Sequence, residues 1–176
     1  MENAVPIVIL GSSRRNGNTP DAGLTAFGGK ADMIDLQDYT ISPYDYDNTN
    51  RDDDFLKIID LITLRKTLVF ATPVYWYAMS ARLKIFFDRL TDLITIEKPK
   101  GRTLAGKSVW LIAAGTDQNF PGGFETPFTR TCKYFDLDYK GANYHYTGDD
   151  QTLRQSSAVR LREFGRKILH DHQRFP

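Results

Sequence analysis

Short apolar runs alternate with amphipathic stretches along this chain. Val5 to Leu10 is apolar, rich in β-branched residues and closed by Gly11. A run of that kind between turn residues suits a strand buried on both faces. Similar runs are Thr67 to Ala71, stopped by Thr72-Pro73, and Ser108 to Ala114, stopped by Gly115. A weaker one covers Ala31 to Leu36, and a fifth lies within Asp138 to Tyr146. Between them the period changes to that of a helix. Asp54 to Lys66 places Phe55, Ile58, Ile59 and Ile62 at i, i+3, i+4, i+7. Ser80 to Leu93 does the same with Leu83, Phe86, Phe87 and Leu90, and Gln151 to His172 with Leu161, Phe164 and Ile168. Thr126 to Phe135 reads as a further helix, and Gly23 to Gly28 sits in a weaker one. Asp52, Asp53 and Asp54 read as a cap and as negative charge at the positive end of a helix dipole.

Strand and helix therefore alternate, with connections long enough for right-handed crossovers between parallel strands. The expected fold is a doubly wound α/β sheet with helices on both faces. No internal repeat or compositional shift marks a linker, and 176 residues suit a single domain spanning 1–176. Ligands of such sheets bind at the carboxyl ends of the strands, where the strand order reverses. The loops after the first, third and fourth strands are therefore the informative ones.

The first loop reads Gly11-Ser12-Ser13-Arg14-Arg15-Asn16-Gly17-Asn18-Thr19. Hydroxyls, amides and guanidinium groups stand there between a buried strand and a helix N-terminus, a setting that favours a phosphate. It is neither a Walker A loop, since Asn18 holds the place of the lysine, nor a GxGxxG loop, since the glycines are too far apart. The second loop, Thr72-Pro73-Val74-Tyr75-Trp76-Tyr77-Ala78-Met79-Ser80, carries three consecutive aromatics that could stack on a flat ring. The third, running from Gly115-Thr116-Asp117 to Phe124, is polar and glycine-rich, with backbone groups suited to the edge of a heterocycle. Each loop has a plainer reading on its own: a capped surface turn, aromatics filling core or interface, a mobile surface loop. Together they match a flat ring with a phosphate tail, and flavin mononucleotide (FMN) is such a ligand.

These segments resemble the NADPH-dependent FMN reductase family of flavodoxin-like flavoproteins. GSSRRNGNT is similar to the family's GSxRxxGNT phosphate loop, and TPVYWYAMSARLKIFFDRL to its [ST]PVYxxxMSAxLKxFxDR segment. LAGKSVWLIAAG resembles, less specifically, the approach to the third loop. The resemblance runs from about Val5 to about Tyr146. It implies a five-stranded parallel sheet in the order 2-1-3-4-5. It places the flavin phosphate on Ser12, Arg14, Asn16, Gly17, Asn18 and Thr19. It places the isoalloxazine on Pro73, Val74, Tyr75, Trp76, Tyr77 and Met79, and the pyrimidine edge on Gly115, Thr116 and Asp117. Arg15 is the less certain of the two arginines. The implied activity is an FMN-dependent NAD(P)H oxidoreductase. It passes hydride from NADPH or NADH to the flavin and on to a small acceptor such as a flavin or quinone, in ping-pong fashion. The flavin carries the chemistry, so no side chain is named as an acid, base or nucleophile.

Composition narrows this further. The formal net charge is +1, from 23 Lys+Arg against 22 Asp+Glu. That gives no case for nucleic acid or an anionic membrane, and it argues against a flavodoxin-type electron carrier, which is usually strongly acidic. An intact phosphate loop argues against a flavin-free interaction module. No apolar stretch is long enough to span a membrane, no signal peptide is evident, and one Cys132 excludes the cysteine cluster of related iron–sulfur flavoproteins. A cytoplasmic location is expected, with no metal. A homodimer, or a dimer of dimers, is expected because so small a domain needs a second wall for its pocket. His145 reads as a packed strand residue, His170 and His172 as partners of a helix C-terminus, and Cys132 as a buried helix residue.

Overall fold

The computed structural model describes residues 5–174. Five parallel strands, β1 (Ile7–Leu10), β2 (Asp32–Asp35), β3 (Thr67–Pro73), β4 (Ser108–Gly115) and β5 (Asp138–Tyr146), form one sheet in the order β2-β1-β3-β4-β5. This is the expected flavodoxin-like order. The reversal lies between β1 and β3, so the chain leaves the sheet in opposite directions there and opens a crevice.

Alternation along the central strands divides the core. Val8, Leu10, Val69, Ala71, Trp110 and Ile112 face α1 (Asn18–Phe27) and the long α7 (Gln151–Arg174). Their neighbours Ile7, Ile9, Leu68, Phe70 and Leu111 face α2 (Phe55–Thr63), α3 (Ala81–Arg89) and α6 (Thr126–Tyr134). A chain of phenylalanines fills that second layer, with Phe70, Phe87 and Phe128 at ring separations of 5.0 and 5.2 Å. On the first layer α1 and α7 approach closely. A Cβ placed on Gly165 would lie 1.9 Å from the Ala26 carbonyl oxygen, so only glycine lets the two helices meet.

Several boundaries differ from the expectation for physical reasons. Helix α1 begins at Asn18, well before Gly23, and takes in the end of the first loop. Strand β3 runs through Pro73, which is tolerated because it is the last position and loses one ladder donor only. The helix expected over Ser80 to Leu93 ends at Arg89 and is followed by the separate turns α4 (Asp92–Thr95) and α5 (Lys98–Arg102). The acidic triplet does more than cap α2. Asp54 makes no side-chain cap and instead accepts from the Thr40 N–H at 2.8 Å and from Lys57 Nζ at 2.6 Å. Asp53 accepts from the Phe55 N–H at 2.9 Å and the Ser42 N–H at 2.8 Å, and it pairs with the buried Arg89. His172 meets Thr67 Oγ1 at 3.0 Å, which ties the end of α7 to the start of β3.

Candidate cofactor site

The first loop leaves β1 with the Gly11 N–H still bonded to Ala71 at 2.8 Å. Ser12 then turns the chain: its Oγ accepts from the Arg14 N–H at 3.1 Å and donates to the Arg14 carbonyl at 2.9 Å. Its hydroxyl is thus committed to loop shape. The N-cap of α1 is Gly17, which offers no side-chain acceptor to the first-turn amides. An uncapped helix start of this kind is an open set of donors for an anion. Arg14 lines the cleft beside it, while Arg15 turns to Asp38 at the surface.

Ser80 joins this loop to the next one. Its Oγ caps α3 by accepting from the Leu83 N–H at 3.1 Å, and its hydroxyl donates to the Gly11 carbonyl. The aromatic loop itself is a tight reverse turn. Tyr75 and Ala78 exchange both backbone hydrogen bonds at 3.0 Å, and the two residues between them, Trp76 and Tyr77, have φ of 48° and 62°. That is the geometry of a type I′ turn, which ordinarily uses Asn and Gly. It thrusts Trp76 outward, 94% exposed, and Tyr77 with it, at 68%.

The third loop starts at Gly115, whose position is fixed by Tyr144. A Cβ on Gly115 would meet the Tyr144 hydroxyl oxygen at 2.7 Å, and that hydroxyl donates to the Asp117 carbonyl at 2.8 Å. Burial, with a smaller effect from Asp117, pushes the Tyr144 phenol up to about 12, so it stays a neutral donor. Phe120 stacks on Tyr144 at 5.3 Å.

The three loops meet around one polar cleft of about 530 Å³ at the carboxyl edge of the sheet. Ser12, Arg14, Asn16, Gly17, Asn18 and Thr19 form one wall, Pro73, Val74 and Tyr75 the second, and Gly115 and Thr116 the third. Four residues singled out from the sequence lie elsewhere. Trp76 and Tyr77 stand outside the lining on the exposed turn, Asp117 sits beyond Thr116, and Met79 is buried in the core beneath α3. The cleft also uses Asp21, Ala114 and Thr147, which the sequence did not mark. Thr147 directly follows β5 at the same sheet edge, and that position was its only signal.

Residues 7–122 match the NADPH-dependent FMN reductase family. The chain belongs to that family. YwqN of Bacillus subtilis (strain 168), to which NAD(P)H-dependent FMN-containing oxidoreductase activity is attributed, is 35% identical over 121 residues. That stretch covers 62% of this chain and 66% of the relative. Among solved structures, the Trp repressor binding protein from Bacillus subtilis superposes with a TM-score of 0.72 at 25% identity, covering 90% of this chain and 96% of that one. An FMN-dependent NADH-azoreductase from Bacillus anthracis str. Ames Ancestor, solved with FMN, shares the fold with a TM-score of 0.65 at 11% identity, covering 93% and 99% of the two chains.

The residues present fit the flavin of this reductase family. A flavin phosphate needs amide donors, hydroxyls and a cation, and α1's open start with Arg14 and Thr19 would supply them. The flavin ring needs an aromatic wall and backbone donors, and Tyr75 and Gly115–Thr116 would supply those. His145 and Cys132 lie apart from this chemistry. His145 Nδ1 is 2.9 Å from Ser157 Oγ, and burial followed by Arg154 and Arg160 lowers its pKa, with Asp21 opposing. Burial, then Asp138, pushes the Cys132 thiol up to about 12, which keeps it protonated and unreactive.

Proposed function

We propose that this chain is an FMN-dependent NAD(P)H oxidoreductase that reduces a small acceptor, a flavin, a quinone or a similar flat compound, with ping-pong kinetics. The observation that carries the reading is the convergence of Arg14, the start of α1, Tyr75 and Gly115–Thr116 on one cleft. FMN, when bound, supplies two-electron exchange between the nicotinamide and the acceptor. The chain's own residues bind, orient and exclude water. Arg14 and the α1 amides hold the phosphate, with Asn16, Gly17, Asn18 and Thr19 around it. Pro73, Val74 and Tyr75 support the ring, and the Gly115–Thr116 backbone meets its polar edge, where aligned donors favour negative charge. Trp76 and Tyr77 lie on the exposed turn that continues from Tyr75, Asp117 follows Thr116, and Met79 belongs to the core and not to the ring's surroundings.

The same reading takes the functional unit to be a homodimer, in one domain of 176 residues and in the cytoplasm. Trp76 and Tyr77 leave apolar surface beside the cleft that a second copy would cover. Among the described residues no helix is long and apolar enough to cross a membrane.

The test is direct. Titrating FMN into the purified chain should quench flavin fluorescence, and NADPH or NADH should then bleach the bound flavin. Initial rates with a panel of acceptors should give parallel double-reciprocal lines. No quenching removes the flavin reading. Quenching without bleaching by either nicotinamide points to an electron carrier instead. Light scattering during size exclusion reads the oligomeric state, and a monomer would refute the dimer.

A further inference from the structure

The wall of the cleft contributed by Thr147 is held by α7, in a part of the chain beyond the 7–122 stretch that matches the family. Thr147 is only 8% exposed. Its N–H donates to the Gly115 carbonyl at 2.8 Å, and its Oγ donates to the same oxygen at 3.1 Å. Arg154 reaches back from the first turn of α7 to hold Thr147 in turn. Its Nη2 donates to the Thr147 carbonyl at 2.6 Å and its Nε donates to the Gly148 carbonyl. The fully buried Ser157 accepts from the Tyr146 N–H at 2.8 Å. Two side chains of α7 therefore clamp three consecutive residues, 146–148.

The peptide group is planar, with its C=O and N–H on opposite sides. Two donors from one residue on the Gly115 carbonyl fix the plane of the Gly115–Thr116 peptide, and with it the direction of the Thr116 N–H. We propose that Arg154 and Thr147 are positioning residues for the flavin ring. Arg154 sets Thr147, Thr147 sets the Gly115–Thr116 peptide, and that peptide presents a preset donor to the ring's polar edge. The inference rests on the reading that the cleft holds FMN, and it adds residues of α7 and of the β5–α7 turn to the site.

The experiment compares the unaltered chain with Thr147→Val, Arg154→Met and Arg154→Lys. FMN affinity is measured by fluorescence titration and the flavin midpoint potential by reductive titration. Thr147→Val keeps the volume and the N–H bond and removes only the hydroxyl donor. It should weaken FMN binding about three- to tenfold, the range of one neutral hydrogen bond, and move the potential negative. Arg154→Met should weaken binding at least as much, with partial rescue by Arg154→Lys, whose ammonium can reach one carbonyl. Thr147→Val with unchanged affinity and potential overturns the proposal, whatever the Arg154 variants do. Failure of the unaltered chain to bind FMN overturns this proposal and the functional reading together.

Discussion

The Arg89 guanidinium lies 2.9 Å from the Asp92 carboxylate, with both side chains withdrawn from water. The same guanidinium pairs with Asp53, donates to the Ser42 carbonyl at 3.2 Å and lies 4.7 Å from the centre of the Phe55 ring. One cation thus joins α3, α4 and the loop that precedes α2. Replacing Arg89 by Leu leaves two carboxylates without their cation in a dry site, so the stability should fall by ~3–5 kcal/mol. Urea unfolding followed by circular dichroism measures this, and a loss below ~1 kcal/mol would show that the network contributes little.

Arg14 and Arg15 are adjacent and should behave differently. Arg14 lines the cleft, and a charge-assisted bond to phosphate is worth ~1.5–3 kcal/mol, so Arg14→Ala should weaken FMN binding roughly 10- to 100-fold. Arg15 is spent on an exposed pair with Asp38, and Arg15→Ala should change the affinity by less than about threefold. Calorimetric titration of FMN into the two variants checks the pair. Equal losses would remove the assignment of Arg14.

The aromatic turn carries backbone strain. Left-handed geometry costs ~1–2 kcal/mol for a residue with a side chain, and Trp76 and Tyr77 both adopt it with little burial in return. The double substitution Trp76→Asn with Tyr77→Gly supplies the residues that a type I′ turn prefers. Part of the gain is offset by the unfolded-state entropy of the new glycine. A net gain of ~1 kcal/mol should raise the Tm by about 2–4 °C. Acceptor turnover should fall in the same variant, because the outward aromatic faces are gone. A lower Tm would show that the aromatics are held by packing.

His145 gives a pH dependence of known sign. Its pKa is lowered in the folded chain, so the unfolded chain binds the proton more readily. Its contribution to stability is complete above about pH 6.5, the unperturbed value, and is lost as the pH falls through the lower folded value. The urea midpoint should hold level between about pH 7 and 8 and decline on acidification, before the carboxylates titrate. His145→Asn should flatten that decline, and an unchanged profile would place its cause elsewhere.

Much of the fold was legible because burial on two faces leaves a clear trace. The apolar runs at β1, β3 and β4 stand out, and the loops that follow them carry the glycines, the arginine and the tyrosine of the cleft. Long-range features left no such trace. Asp53 and Arg89 are far apart in sequence, so the acidic triplet looked like a helix cap alone. Pro99 and Gly101 hid α5, since both residues disfavour a helix interior. Nothing in the residue types announced a left-handed turn at Trp76-Tyr77, where glycine or asparagine is the usual sign. Thr147 is a small polar residue, and its hydrogen bonds to Gly115 exist only once β4 and β5 are paired.

The contact of Gly165 with Ala26 bears on how this chain can be recombined. Family membership is carried by residues 7–122, which invites grafting of that stretch onto a foreign C-terminal helix. A donor helix with any side chain at the position of Gly165 would push against the main chain of α1, the helix whose first turn lines the cleft. In a chimera, α1 and α7 must therefore be exchanged as a pair.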